Sequence, residues 1–278
     1  MRGDDHVHAG RAAEGGQVSV HATAIVTEGA VIPASCTVGP YCTVGPNVVL
    51  GEECQLVSHV VLDGHTTLGK GCRVYSFACV GIAPQDLKYA GEPTRVEIGE
   101  GTVIREYVTI SRGTAGGGGC TRVGAGCLIM AYVHIGHDCQ VGNECILPNG
   151  ATLAGHVTVE DFATLSANAP VHQFCTVGRY AYIGGGTTIT QDVMPYSLTS
   201  IERNNHAYGV NKVGLQRRGF SAEDVRELGT AMRVLVSGKH NTTQALEIIH
   251  EMIAQGAGGE HVKYLVKFVA ASERGVIK

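Results

Sequence analysis

The sequence predicts a mostly-β solenoid: a parallel β-helix of hexapeptide repeats with an α-helical cap at its C-terminal end. Three observations carry this. An aliphatic residue recurs every sixth position, glycine is abundant while aromatics are scarce, and the periodicity turns helical after about residue 200. Stepping by six from Val20 meets Val26, Ile32, Val38, Val44, Leu50, Leu56, Leu62, Leu68, Val74 and Val80. The register returns at Ile98, Ile104 and Ile110. It resumes one residue out of phase at Val123, Ile129, Ile135, Val141, Leu147, Leu153, Val159, Leu165, Val171, Val177, Ile183 and Ile189. A helix needs a period near 3.6 and an amphipathic strand a period of 2. Six fits neither; it is the repeat of a three-sided prism with about 18 residues per coil. About nine coils, spaced like strands in a sheet, give a prism roughly 40–45 Å long.

The composition agrees. Of 278 residues, 39 are Gly, about twice the usual share of roughly 7%, and Trp is absent beside 10 Tyr and 5 Phe. Small and branched side chains must therefore fill the interior. Glycine often follows the register aliphatic (Gly39, Gly45, Gly51, Gly69, Gly124, Gly136, Gly142, Gly178), where it is expected to ease the backbone around a corner. Eight of the ten cysteines (Cys36, Cys42, Cys54, Cys72, Cys127, Cys139, Cys145, Cys175) fall four residues after a register aliphatic, a slot otherwise held by Ala, Ser, Thr or Val. They are expected to be small core residues, and without a CxxC pair they do not suggest a zinc ribbon.

Along the chain, residues 1–18 are polar and off-register and are expected to be a flexible tail. Residues 19–199 form the predicted β-helix, and excursions near 81–97 and 112–122 interrupt it. Loops that break a regular solenoid are natural carriers of function. The second holds Gly116 to Gly119 but no following Lys-Ser/Thr, so it is not a phosphate-cradling P-loop. Residues 200–278 are expected to be α-helical. Ser221 and Asp224 resemble a capping box ahead of Val225, Leu228, Met232 and Leu235, and further helices are predicted over 243–254 and 260–271. Residues 1–200 hold 10 Lys/Arg against 17 Asp/Glu, and residues 201–278 hold 11 against 8. A basic cap thus closes an acidic prism and suits an acidic partner.

Several classes are excluded. There is no apolar run of about 18 residues for a membrane span. The N-terminus lacks the apolar core of a signal peptide, so a cytoplasmic location with reduced thiols is expected. A net charge of −4 gives no nucleic-acid signal. No Rossmann fingerprint, HExxH or nucleophile elbow is present.

Histidine stands out instead, at His59, His65, His134, His137, His156 and His172. His137, His156 and His172 are about one coil apart in turn and are expected to line one edge of the prism. Two chemistries could use them: three imidazoles on a metal, or one imidazole in acid–base catalysis with a neighbour to orient it. Asp138 is next to His137, but adjacent strand side chains point to opposite faces, so it serves only if the corner turns it back.

Five segments carry a resemblance: Gln85–Gly99, His134–Cys139, Ala151–His156, Val171–Phe174 and Gly214–Phe220. Together they resemble the UDP-N-acetylglucosamine acyltransferase family, over about residues 19–278. The resemblance implies a left-handed β-helix, against the general right-handed rule for parallel crossovers. It further implies a homotrimer with active sites between prisms and no metal or cofactor. The implied reaction moves a 3-hydroxyacyl group from acyl carrier protein to the glucosamine 3-hydroxyl of UDP-N-acetylglucosamine, the first step of lipid A synthesis. It implies His137 as general base supported by Asp138, and the Gly155 N–H as oxyanion donor. His134, His156, His172 and Gln173 would line the groove, with Asp86, Leu87 and Lys88 contacting sugar or acyl group. Asn211, Arg217 and Arg218 would approach the nucleotide, and the basic cap would dock the carrier. Gly185 stands where a bulky residue shortens the accepted chain, so a longer chain is expected, with Tyr182 nearby as a possible obstruction. Three features depart from the family: the extra tail, a longer segment at 200–206, and Val213 where a nucleotide-contacting Glu is common. Three alternatives stand beside this reading: a 3-amino sugar nucleotide as acceptor, a hexapeptide-fold zinc carbonic anhydrase, and a non-catalytic scaffold.

Overall fold

The computed structural model describes residues 19–201 and 205–278. The expected tail at 1–18 and part of the longer 200–206 segment lie outside them.

Short parallel strands, most of them two residues long, stack into three faces. Among the described residues face A has 11 strands, from Ser19–Val20 to Asn205–Val210. Face B has 8, from Ile25–Val26 to Pro170–Val171, and face C has 7, from Val49–Leu50 to Thr176–Val177. Each register aliphatic lies above its counterpart one coil on, as Ile135 does with Leu153 and Leu153 with Val171. From Val38 to Ile189 every register residue is buried. Each buried Leu or Ile contributes about 1.5–3 kcal/mol, so the hexad is the main source of the prism's stability. The exceptions are at its start: Val20 and Val26 remain exposed, with no described coil stacked beneath them, and Ile32 is partly buried.

The eight register cysteines are buried, and all ten are free thiols. Several donate Sγ–H to a carbonyl fifteen residues on, as Cys139 does to Ala154 at 3.1 Å. Burial pushes the Cys139 thiol up to about 12, which keeps it in the unreactive thiol form.

The glycines after the aliphatics serve a different purpose from the one expected. Their backbones are not left-handed; they sit where the next coil passes closest, and a Cβ on Gly39 would lie 1.6 Å from the Val57 carbonyl oxygen. The left-handed residue of a corner comes two positions later. Tyr41, Tyr132, Asp138 and His156 take it, with φ of 58°, 63°, 61° and 62°. That conformation costs roughly 1–2 kcal/mol for a non-glycine residue. It is offset by ladder bonds such as His156 N–H to the His137 carbonyl, at 2.9 Å.

Face A continues past the point where helix was expected. Ser197–Ile201 adds in parallel to Tyr182–Ile183, and Asn205–Val210 returns antiparallel to it. The helices follow: α1 (Lys212–Arg217), α2 (Ala222–Val236), α3 (Thr242–Ala254) and α4 (Glu260–Ala271). The Ser221–Asp224 capping box forms at α2, and Asn241 with Gln244 makes a second at α3. Met232, Leu235, Ile249 and Leu265 build a second core with Tyr196. The chain end returns to the prism, where Asp192 N–H donates to the Gly275 carbonyl and Ile277 N–H to that of Asp192. Among the described residues no helix is long and apolar enough to cross a membrane.

Candidate active site

The edge between faces B and C departs from the repeat on consecutive coils. After strand Cys79–Ile82 the chain leaves this edge and re-enters at Arg95–Ile98. One coil later it leaves after Thr109–Ser111 and re-enters at Cys120–Val123. The next coil turns the same edge tightly through His137 and Asp138. Both excursions therefore rise beside the histidines. Arg112 ties them together, donating from Nε to the Tyr89 hydroxyl at 2.9 Å and from Nη1 to the Gly81 carbonyl at 2.8 Å.

The left-handed corner turns Asp138 back. Its side chain is wholly buried, and Oδ2 accepts from His137 Nδ1 at 2.8 Å. Alternation along a strand would have separated the pair; the positive φ joins them. Three further groups fix the aspartate. Thr114 N–H donates to Oδ1 at 2.9 Å, Thr114 Oγ1–H donates to Oδ2 at 2.6 Å, and Asp138 N–H donates to Thr121 Oγ1 at 2.8 Å. A Cβ on Gly117 would come within 2.1 Å of the Asp138 carboxyl carbon. Gly117 thus lets the turn press onto this carboxylate, a contact its neighbour Gly116 does not make. The sequence marked the tract, but its bearing on Asp138 depends on a long-range contact.

With Nδ1 committed to Asp138, His137 presents Nε2 outward, and its side chain is 17% exposed. One coil above, Gly155 leaves room for the ring: a Cβ there would meet His137 Cε1 at 2.6 Å and Nε2 at 2.7 Å. No backbone carbonyl among the described residues accepts from the Gly155 N–H. A free donor beside an imidazole is the arrangement that acyl transfer uses for its oxyanion.

His134, on face B, is mostly buried, with Nδ1 2.8 Å from Thr109 Oγ1. Burial, and secondarily the nearby His137, hold its pKa below the usual 6.5. The unfolded chain then binds the proton more readily. Stability from this site is complete above about pH 6.5 and is lost as pH falls. His134→Gln should therefore flatten the loss of stability between pH 7.5 and pH 5.5, read as urea midpoints; an unchanged slope contradicts the assignment.

His137, His156 and His172 all lie along this edge, but only the first two have their rings in contact. His156 packs edge-on to His137, with centroids 5.0 Å apart, but the next ring on the ladder is Phe174, stacked at 4.6 Å. His172 is two residues short of that position and lies 3.1 Å from the Gln173 carbonyl and 3.2 Å from Arg274 Nη1. Gln173 is exposed on the same edge. His137, Asp138 and His156 bring ligand-type atoms within 4.8 Å of one another. Asp138 already accepts three donors, His137 Nδ1 among them, and His172 stands outside the group. A three-imidazole zinc centre is not assembled here. His59 and His65 lie elsewhere, His59 between Tyr41 and Phe77 in a ring stack on the edge between faces A and B.

Asp86, Leu87 and Lys88 crown the first excursion. Asp86 Oδ1 accepts from the Lys88 N–H at 3.0 Å, and Leu87 is fully exposed. The remaining candidates gather elsewhere. Tyr182, Asn211, Val213, Arg217 and Arg218 line a cavity of about 560 Å³ on face A, which is opposite the histidine edge of the same prism. Asn211 works there as the α1 cap, accepting from Gly214 N–H and donating to the Tyr180 carbonyl. Both arginines face the cavity, and Arg218 also pairs with Glu144 and lies over the Phe162 ring. A Cβ on Gly185 would meet nothing closer than 3.6 Å, and Ser166 Oγ donates to the Tyr182 hydroxyl at 2.9 Å.

A hexapeptide solenoid with a His–Asp dyad and a free backbone donor on one edge defines a transferase of the hexapeptide class. Residues 120–155 match the bacterial transferase hexapeptide family (six repeats), and residues 192–277 match domain 2 of the UDP N-acetylglucosamine O-acyltransferase family. The fold is similar to the Francisella novicida UDP-N-acetylglucosamine acyltransferase, at 39% identity over 93% of each chain and a TM-score of 0.89. The Campylobacter jejuni enzyme is 35% identical over 93% of this chain and 99% of its own, with a TM-score of 0.86. The Arabidopsis enzyme is 32% identical over 93% of this chain and 100% of its own, with a TM-score of 0.80. The chain belongs to the UDP-N-acetylglucosamine acyltransferase family.

Proposed function

We propose that the protein transfers a 3-hydroxyacyl group from the thioester of acyl carrier protein to the 3-hydroxyl of UDP-N-acetylglucosamine, opening lipid A synthesis in the cytoplasm. The observation that carries this reading is the His137–Asp138 dyad, at 2.8 Å, beneath the uncovered Gly155 N–H. Asp138 keeps the proton on Nδ1, so Nε2 is the base. It takes the proton of the sugar hydroxyl as that oxygen attacks the thioester carbonyl. The Gly155 N–H receives the oxyanion. Collapse breaks the carbon–sulfur bond, and the His137 proton passes to the departing thiolate.

The two groups of candidate residues sit on opposite sides of one prism. We read this as a site shared between copies, one contributing the histidine edge and its neighbour the face A cavity with Arg217, as in a homotrimer. The guanidinium suits a diphosphate, and the basic cap suits the acidic carrier. His134, His156, Gln173 and the 86–88 crown would line the groove, and the space at Gly185 favours a long acyl chain.

An acyl-transfer panel tests this. Carrier-linked 3-hydroxyacyl chains of several lengths are offered with UDP-N-acetylglucosamine and with its 3-amino analogue. Transfer to the 3-hydroxyl with a preference for longer chains is expected. Transfer to the amine alone, or to neither acceptor, overturns the reading.

A further inference from the structure

We infer that Thr114 is a positioning residue for the reaction, acting through Asp138, and that the second excursion exists to hold it there. The inference rests on the function proposed above. A side chain that merely filled space would not need both of its polar groups aimed at one carboxylate. Thr114 is 8% exposed, and it bonds both Asp138 oxygens, backbone N–H to Oδ1 and hydroxyl to Oδ2. The hydroxyl oxygen in turn accepts from Gly117 N–H at 3.2 Å, at the head of the 3-10 turn Ala115–Gly117. With that backbone donor on its oxygen, the Thr114 proton is directed to Asp138.

Oδ2 is therefore shared by Thr114 and His137 Nδ1. A buried carboxylate with one free oxygen could swing away from the imidazole. Held at both oxygens it cannot, and the His137 tautomer and ring plane are set by the excursion loop. The turn can press this close only because position 117 has no side chain. Its neighbour Gly116 is under no such restriction: a Cβ there meets nothing within 4 Å. Because the imidazole acts in the chemical step, the effect belongs in kcat and not in substrate binding.

The test uses the full chain in the acyl-transfer assay, with wild type and His137→Ala run alongside. Thr114→Val keeps the shape and backbone N–H but removes the hydroxyl. Hydrogen bonds to charged groups are strong enough that a kcat loss on the order of 10- to 100-fold is expected, with KM within about threefold. Thr114→Ser should recover most of it. A second pair avoids reliance on Thr114→Val folding: Gly117→Ala should lower kcat at least about tenfold, while Gly116→Ala leaves it near wild type. Cooperative melting confirms the fold of each variant. The inference is overturned if folded Thr114→Val keeps kcat within about twofold, if the loss appears in KM, if Ser fails to rescue, or if both glycine variants behave alike. Inactive wild type, or a fully active His137→Ala, would instead sink the proposed function.

Discussion

His137→Ala is expected to lower kcat by about 10²–10⁴-fold, the usual contribution of a positioned general base. The reason is local. His137 Nδ1 is bound to a wholly buried Asp138, which leaves Nε2 as the ring's proton acceptor on an edge open to substrate. Among the described histidines of this edge no other imidazole has that arrangement: His134 bonds Thr109, and His172 lies against Arg274 and the Gln173 carbonyl. His156 is stacked on Phe174 with Nε2 4.0 Å from Asp138 Oδ2, beyond hydrogen-bond reach. Initial rates of carrier-thiol release measure the effect. A variant within about tenfold of wild type would mean that another group removes the hydroxyl proton.

Gly155→Ala is expected to cost about 10²–10³-fold, the scale of losing an oxyanion donor. This is large for one methyl group. The methyl would lie 2.6 Å from His137 Cε1 and 2.7 Å from Nε2, and both neighbours sit in stacked coils that leave the backbone little freedom. The ring must therefore swing off its bond to Asp138, or the corner must shift and move the Gly155 N–H. The variant should fold, since position 155 points away from the prism core, so its thermal unfolding should stay cooperative. A folded variant with near-normal kcat would show that neither the ring position nor this N–H matters to the chemistry.

Much of the fold was legible because the hexad places a buried aliphatic at a fixed interval, and no other architecture uses that interval. The capping box of α2 was legible because Ser221–Asp224 is a local bond, whereas the equally local box of α3, Asn241–Gln244, went unread. Helix α1 was not. It is six residues long, and its cap, Asn211, could be read only as a possible ligand contact. The corners were misread in an instructive way. Glycine after the aliphatic reports the close approach of the next coil, while the left-handed turn falls two residues later and accepts Tyr, Asp or His.

The same corner explains what was missed at the site. His137 and Asp138 were singled out together, but strand alternation argues against their contact, and only φ of 61° at Asp138 reverses that. A step of 18 from Asp138 leads to His156 and then to Phe174, so the third ring was readable from spacing alone. The step of 16 to His172 leaves the stack. Thr114 was not readable, because an irregular loop hides which of its hydroxyls reaches a carboxylate 24 residues away, and Thr121 was not, because it meets the Asp138 N–H only through the stacking of coils.

The most direct measurement of the central claim follows the acyl group itself. The full-length protein is incubated with one 3-hydroxyacyl carrier protein and UDP-N-acetylglucosamine, and the product is located by mass spectrometry and NMR. The account predicts one free carrier thiol released per sugar nucleotide esterified, with the ester at the glucosamine 3-oxygen. Thiol release without an acylated sugar, or an acyl group at any other position, would contradict it.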